Sequence, residues 1–212
     1  MAALWNRIFR RTPARPAVQV IVNHFNEAAA DEEHFPSSID PRIYHVRLIL
    51  EYFGDLGGRR VLDVGCGKGR FARVFLEHYP RAAIVAFDLA ESMLRYVPAE
   101  LGRCSGSMTA LPFPGECFDC AYATESLEHA VDIESAIAEI CRVVKPGGRI
   151  AIIDKNIEQW GRLKTPQWEQ WFGQKQLEKM LARHCRRVSS RPISYWEDVA
   201  PDGLFLAWLA EK

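Results

Sequence analysis

Val61-Leu-Asp-Val-Gly-Cys-Gly-Lys-Gly-Arg-Phe-Ala72 passes from a short β-branched run into three alternate glycines and then into a helical pattern. Glycines in such a turn let the chain reverse sharply and bring its backbone against a ligand with no Cβ between. A strand feeding a glycine loop and a helix places that ligand at the carboxyl end of a parallel sheet, in the crevice where open α/β folds bind. The dinucleotide fingerprint is G-x-G-x-x-G, with a pyrophosphate on the helix N-terminus. Here Gly65, Gly67 and Gly69 run G-x-G-x-G, and Asp63 closes the strand just before them. A carboxylate there repels a pyrophosphate and favours a cationic ligand, such as one bearing an ammonium and a sulfonium. The pattern points away from NAD.

Downstream, Ile84-Val-Ala-Phe-Asp88 is a second strand ending in an acid. A carboxylate in that place accepts both ribose hydroxyls of a nucleoside. Its alternative is a helix N-cap, with Glu91 three residues on. Strands then alternate with helical patterns: helix 70–78, helix 91–96, strand or loop 104–108, strand 118–124, helix 133–144 and strand 149–154. A long helix over 168–184 and a hairpin pairing 187–195 with 204–210 close the chain. That order implies right-handed crossovers and a mostly parallel sheet.

Upstream, residues 18–30 read as a helix with Val18, Val22, Phe25 and Ala29 on one stripe. Asp40 before Pro41 predicts the cap and first turn of another, ending at Gly54. Residues 1–16 place Leu4, Trp5, Ile8 and Phe9 at helical spacing among arginines. This is either a basic amphipathic helix resting on a membrane surface or partner, or a terminus packed on its own domain. Such a short segment is marginal alone, which favours the second. The expected division is 1–16 as this segment, 17–58 as a helical cap and 59–212 as the core.

With 212 residues, 48% of them hydrophobic, the chain builds a core without disulfides or metal. Twenty-seven basic residues balance twenty-seven acidic ones, so no global field attracts long nucleic acid or an acidic membrane. Cys117 and Cys120 form a C-x-x-C without a second pair or a histidine at metal spacing, and all six cysteines read as buried thiols. Reduced thiols, with neither a signal peptide nor a membrane span, predict a cytoplasmic protein.

At this point the chain resembles class I S-adenosylmethionine-dependent methyltransferases. Asp63-Val-Gly-Cys-Gly-Lys-Gly69 and Phe87-Asp88-Leu-Ala-Glu-Ser-Met93 look like the first two motifs of that family. Leu111-Pro-Phe-Pro-Gly-Glu-Cys-Phe-Asp119, Ser126-Leu-Glu-His129 and Arg142-Val-Val-Lys-Pro-Gly-Gly148 resemble three more, in order. The nearest branch is that of ubiquinone and menaquinone C-methyltransferases. The resemblance implies a Rossmann-like fold, with a mostly parallel seven-stranded sheet, a C-terminal antiparallel hairpin and an N-terminal helical cap. It also implies S-adenosylmethionine as cofactor. Backbone at Gly65, Cys66, Gly67 and Gly69 then passes the methionine portion, with Asp63 near its ammonium. Asp88 holds the ribose, Leu89 and Met93 flank the adenine, and Thr124 and Glu125 face the methionine end. Members often carry an aspartate where Ser107 stands here, followed by Met108; a serine hydroxyl still accepts the adenine amino group, though more weakly.

The acceptor half is far less legible. Transfer from a sulfonium is already activated, so the protein's work is chiefly alignment and a general base is optional. His129 and Glu125 are the candidate bases, against a plain helix turn at Leu127-Glu-His129. His24, Phe25 and Tyr44 from the cap, and Trp160, Trp168 and Trp171, are candidate acceptor contacts, against simple apolar packing. No spacing specifies a metal. Thr124-Glu-Ser-Leu127 replaces the Asn/Asp-Pro-Pro-Tyr/Phe motif of adenine- or glutamine-directed methylation. The expected acceptor is a small molecule, methylated on oxygen, carbon or nitrogen. The competing readings are a cofactor-binding regulator or assembly subunit without turnover and, remotely, an NAD-dependent oxidoreductase.

Overall fold

A computed structural model describes residues 18–212; the amphipathic reading of 1–16 falls outside the described residues. The strands are β1 (Arg60–Val64), β2 (Ala83–Asp88), β3 (Gly102–Ser105), β4 (Phe118–Thr124), β5 (Val144–Lys155), β6 (Arg187–Ile193) and β7 (Phe205–Glu211). The α-helices are α1 (Val18–Ala28), α2 (Tyr44–Phe53), α3 (Arg70–His78), α4 (Glu91–Leu94), α5 (Ile133–Val143) and α6 (Gln174–Leu181). One seven-stranded sheet has the order β3-β2-β1-β4-β5-β7-β6. The first five strands run parallel, and β7 is antiparallel to both β5 and β6. The fold is the Rossmann-like α/β architecture expected from the sequence.

Period-two alternation along β1 feeds two cores, one on each face of the sheet. Leu62 and Val64 join Ile137 and Ile140 of α5 on one side. Val61 joins Ile49 and Phe53 of α2 and Phe71 and Phe75 of α3 on the other. The apolar stripe of α5 at Ile133, Ala136, Ile137, Ile140 and Cys141 explains why it lies flat on the sheet. Its first turn is capped by Asp132, which accepts from Ser135 N at 3.2 Å. The chain winds from β1 out to β3 and then crosses back to β4 beside β1. That reversal opens a crevice at the carboxyl ends of β1 and β4.

Four local expectations change. Asp40 does not cap α2, which begins at Tyr44 behind Ile43. Asp40 instead accepts from Arg42 N at 2.9 Å and from its guanidinium at 2.6 Å, which fixes a turn before the helix. The helix expected over 168–184 is only Gln174–Leu181. Residues before it run extended across the end of β5, where Phe172 N donates to Lys155 O at 3.2 Å, and Trp171 and Phe172 are buried. Burial of two consecutive aromatics suits that extended path rather than one helical stripe. β3 covers only Gly102–Ser105, and its ladder to β2 closes with Gly106 N donating to Asp88 O at 3.0 Å. Within residues 17–58, α2 is a core helix, and only α1 and the loop after it overhang the crevice.

Candidate active site

A cavity of about 640 Å³ fills that crevice, within the range of small-molecule sites. The loop after β1 forms one wall. Gly65 N and Cys66 N donate to Phe87 O at 2.8 and 3.0 Å, tying the loop to β2. Gly65 has φ of 73°, and a Cβ there would fall 2.4 Å from Ser126 Cβ. Ser126 in turn donates its hydroxyl to Val64 O at 2.7 Å. Only glycine lets the two strand ends close on each other at this point.

Asp88 accepts from Gly67 N at 2.7 Å and from Ala90 N at 2.8 Å. It borders the cavity and does not cap α4, which starts behind Ala90; its bond to Ala90 N fixes the turn before that helix. Burial pushes its carboxyl above the ordinary range, against those backbone bonds. Leu89, Met93, Ser107, Met108 and Thr124 also line the cavity. Ser107 Oγ lies 2.7 Å from Thr109 Oγ1. Gly69 stands behind the lining, where it starts α3 in the left-handed region beside Val97.

Asp63 also stands behind the lining, 2% exposed, and its Oδ2 has no hydrogen-bond partner. Burial first, and then the nearby Asp88, push its carboxyl up to about 7, against the neighbouring Tyr122 hydroxyl. A buried carboxylate oxygen left unpaired is costly. An ammonium brought to the glycine loop would relieve it, so these residues fit the ligand that the sequence motifs imply.

The opposite end is polar and buried. The 3₁₀ turn Leu127–His129 follows β4 and brings Glu128 and His129 against Lys155 at the end of β5. The Lys155 ammonium contacts Glu128 Oε1 closely and lies 3.5 Å from Glu169 Oε2. Asp154, wholly buried, accepts from Glu128 N at 3.1 Å. Burial, then the Asp154 charge, raises the Glu128 carboxyl strongly. Burial pulls Lys155 down, but Glu128 outweighs it and the ammonium is held above its usual value. His129 is pushed down to about 3 by burial, helped by Lys155 and His24, so its imidazole is neutral. Its Nε2 lies 3.5 Å from Glu128 Oε1 and 4.0 Å from Glu169 Oε1. Ligand atoms of Glu128, His129 and Glu169 lie within 4.8 Å of one another, a spacing open to a divalent cation, with the Lys155 ammonium already between the two carboxylates.

Glu125 borders the cavity with φ of 50° and pairs with Arg70 at 3.2 Å. His24 and Phe25 line the cavity, as expected of the cap. Tyr44 does not; its hydroxyl accepts from Arg191 at 3.0 Å, away from the crevice. None of the three tryptophans lines it either. Trp160 is exposed, Trp168 packs edge-on at 5.1 Å against His24, and buried Trp171 donates to Glu169 at 2.9 Å. Glu128, Asp154, Lys155 and Glu169 escaped the sequence reading. Their signal was the pair Asp154-Lys155 closing an apolar strand, since such charges are seldom buried without partners. Nothing local marked Glu169.

The sheet order, the glycine loop and the acid-ended second strand are together those of class I S-adenosylmethionine-dependent methyltransferases, which this chain resembles. Residues 62–152 match the sequence profile of the family described as "Methyltransferase domain", and the chain resembles the ubiquinone/menaquinone branch of that class. A malonyl-[acyl-carrier protein] O-methyltransferase of Methylococcus capsulatus is 35% identical over 98 residues, covering 43% of this chain and 36% of that protein. A demethylmenaquinone methyltransferase of Renibacterium salmoninarum is 30% identical over 154 residues, covering 70% of this chain and 61% of that one. The chain thus spans between about a third and three fifths of the length of these relatives. Among solved structures, the [4+2]-cyclase SpnF superposes with a TM-score of 0.78 at 19% identity, over 94% of this chain and 97% of that one. That likeness concerns the fold alone.

Proposed function

We propose that this protein transfers the methyl group of S-adenosylmethionine to a small-molecule acceptor. One observation carries the reading: a single cavity joins the glycine loop and Asp88 at one end to His129, Lys155 and Glu169 at the other. When bound, the cofactor supplies a methyl group activated on a sulfonium. In this reading Asp88 accepts from the ribose hydroxyls, its two oxygens already fixed by backbone amides. Asp63 faces the ammonium through the glycine loop, Leu89 and Met93 flank the adenine, and Ser107 with Met108 borders its amino edge. Thr124 and backbone at Gly65, Cys66 and Gly67 hold the methionine portion. His129 and Glu125 stand where a general base would, but burial pushes His129 down to about 3, which makes it a weak base, and Glu125 is committed to Arg70. Their part in this reading is to position the acceptor, since transfer from a sulfonium does not require a base. Residues 59–212, with α2 packed on their sheet, form the methyltransferase core in this proposal, and α1 with its following loop shields the acceptor from water.

Relatives named for quinone substrates support a small-molecule acceptor by analogy. Six free cysteines favour a reducing, cytoplasmic compartment. Among the described residues no helix is long and apolar enough to cross a membrane. The test is calorimetric titration with S-adenosylhomocysteine, with NAD as control. Binding at micromolar affinity, weakened tenfold or more in Asp88→Ala (about 1.5–3 kcal/mol for hydrogen bonds to a charged group), is expected. Preference for NAD, or affinity untouched by Asp88→Ala, would overturn the assignment.

A further inference from the structure

We propose that the acceptor carries an ammonium group on an apolar or aromatic body, held by an aromatic cage over an acidic floor at the β4–β5 end of the cavity; this rests on the methyltransferase reading above. The cage is made of His24 and Phe25 from α1, Phe35 from the loop after it, and His129, all four lining the cavity. Phe25 lies 5.1 Å from His24, 5.8 Å from Phe35 and 4.9 Å from His129, centroid to centroid. The interplanar angles are 80°, 87° and 72°. The rings pack edge to face on one another, and all four border one space. A ring face open to that space carries the negative end of the quadrupole and attracts a cation.

The floor has the matching sign. Glu128, Asp154 and Glu169 gather around one lysine, Lys155. Three carboxyl groups thus stand against a single ammonium at this end of the cavity. Glu128 Oε2 is buried without a hydrogen-bond partner, and Glu169 borders the cavity with its Oε1 4.0 Å from His129. The other cations on the lining are engaged or peripheral. Lys68 pairs with Glu32, Arg70 pairs with Glu125, and Lys164 is exposed at the rim. Val18, Ile21 and Leu163 supply apolar contact for the body of the molecule. An anionic acceptor would meet uncompensated carboxylate, and a neutral one would leave the cage and the floor unused.

Calorimetry on the full chain saturated with S-adenosylhomocysteine compares 2-phenylethylamine with its neutral counterpart 2-phenylethanol. The amine is expected to bind about tenfold more tightly. Glu169→Gln should erase most of that preference while leaving S-adenosylhomocysteine affinity unchanged. Equal binding of amine and alcohol, tighter binding of the alcohol, or no binding of the amine would overturn the proposal. The wild-type comparison decides even where Glu169→Gln fails to fold, and Phe25→Leu offers a second variant that removes one cage face. Should S-adenosylhomocysteine not bind, the methyltransferase reading falls by itself, and the amine–alcohol comparison repeated without it still judges the cage.

Discussion

Asp63 and Asp88 close neighbouring parallel strands, and the environment gives them different work. Asp88 is tied by two backbone amides, so its geometry is set before any ligand arrives. Asp63 has an unpaired oxygen and titrates at about 7. If it must ionise to meet an ammonium, S-adenosylhomocysteine affinity will rise with pH between about 5.5 and 7.5. The sign follows from linkage: the raised pKa keeps the empty site protonated below 7, and the cationic ligand binds the ionised form. Calorimetry across that range should show the slope in the wild type and a flat profile in Asp63→Asn. A slope that survives the substitution would assign the titration to another group.

The sequence motifs prove to be parts of shared structural units. Leu111-Pro-Phe-Pro-Gly and Arg142-Val-Val-Lys-Pro-Gly-Gly lie far apart in the chain, yet Arg142 donates to Phe113 O at 2.9 Å and to Leu111 O at 3.0 Å. Glu139, one turn earlier on α5, accepts from Leu111 N at 2.8 Å. The two motifs are thus the two halves of one clamp below the cavity wall. The terminal hairpin is an equally integral element. Trp208 of β7 is fully buried against Phe172, and its indole donates to Gln174 O at 2.9 Å. Trp208→Ala should cost about 3–5 kcal/mol in chemical denaturation. A loss below about 1 kcal/mol would mean that β7 is peripheral to the core.

For the molecule as a whole, Lys68 fastens the loop after α1 to the glycine loop. Helix α1 itself is held by Asn26, which accepts from Ser92 N at 3.0 Å, and by apolar packing on Ala90 and Met93. Lys68, inside the glycine loop, donates to Glu32 at 2.6 Å and to Asp31 O at 3.1 Å, and its ammonium lies over the Tyr96 ring. Lys68→Met should accelerate amide exchange across 18–39 while the sheet stays protected. Unchanged exchange there would show the segment held by the Asn26–Ser92 bond and apolar packing without Lys68. Acid stability has a separate origin at His45, fully buried between Tyr195 and Phe205. Burial, against the nearby Glu125 charge, depresses its pKa to about 4 from 6.5. As pH falls, the unfolded chain takes this proton first, so the contribution is complete above 6.5 and disappears toward 4. Wild type should therefore lose up to about 3 kcal/mol relative to His45→Phe between pH 7 and pH 4. Parallel pH dependences in denaturant titrations would contradict it.

What the sequence determined by itself is the cofactor half and the sheet that carries it. The glycine spacing, Asp63 and Asp88 are local in the chain, and a strand–loop–helix unit reports its own geometry through residues a few positions apart. The hairpin was legible for the same reason, from apolar runs at the chain end. The far end of the cavity, where the acceptor is proposed to sit, was decided only by tertiary structure. Glu128, Lys155 and Glu169 come from three separated segments, and His24, Phe25 and Phe35 from a fourth, so no spacing records their meeting. The extended path before α6 was hidden likewise, since burial of Trp171 and Phe172 depends on what covers them. Local physics writes the glycine loop; long-range packing decides what faces it.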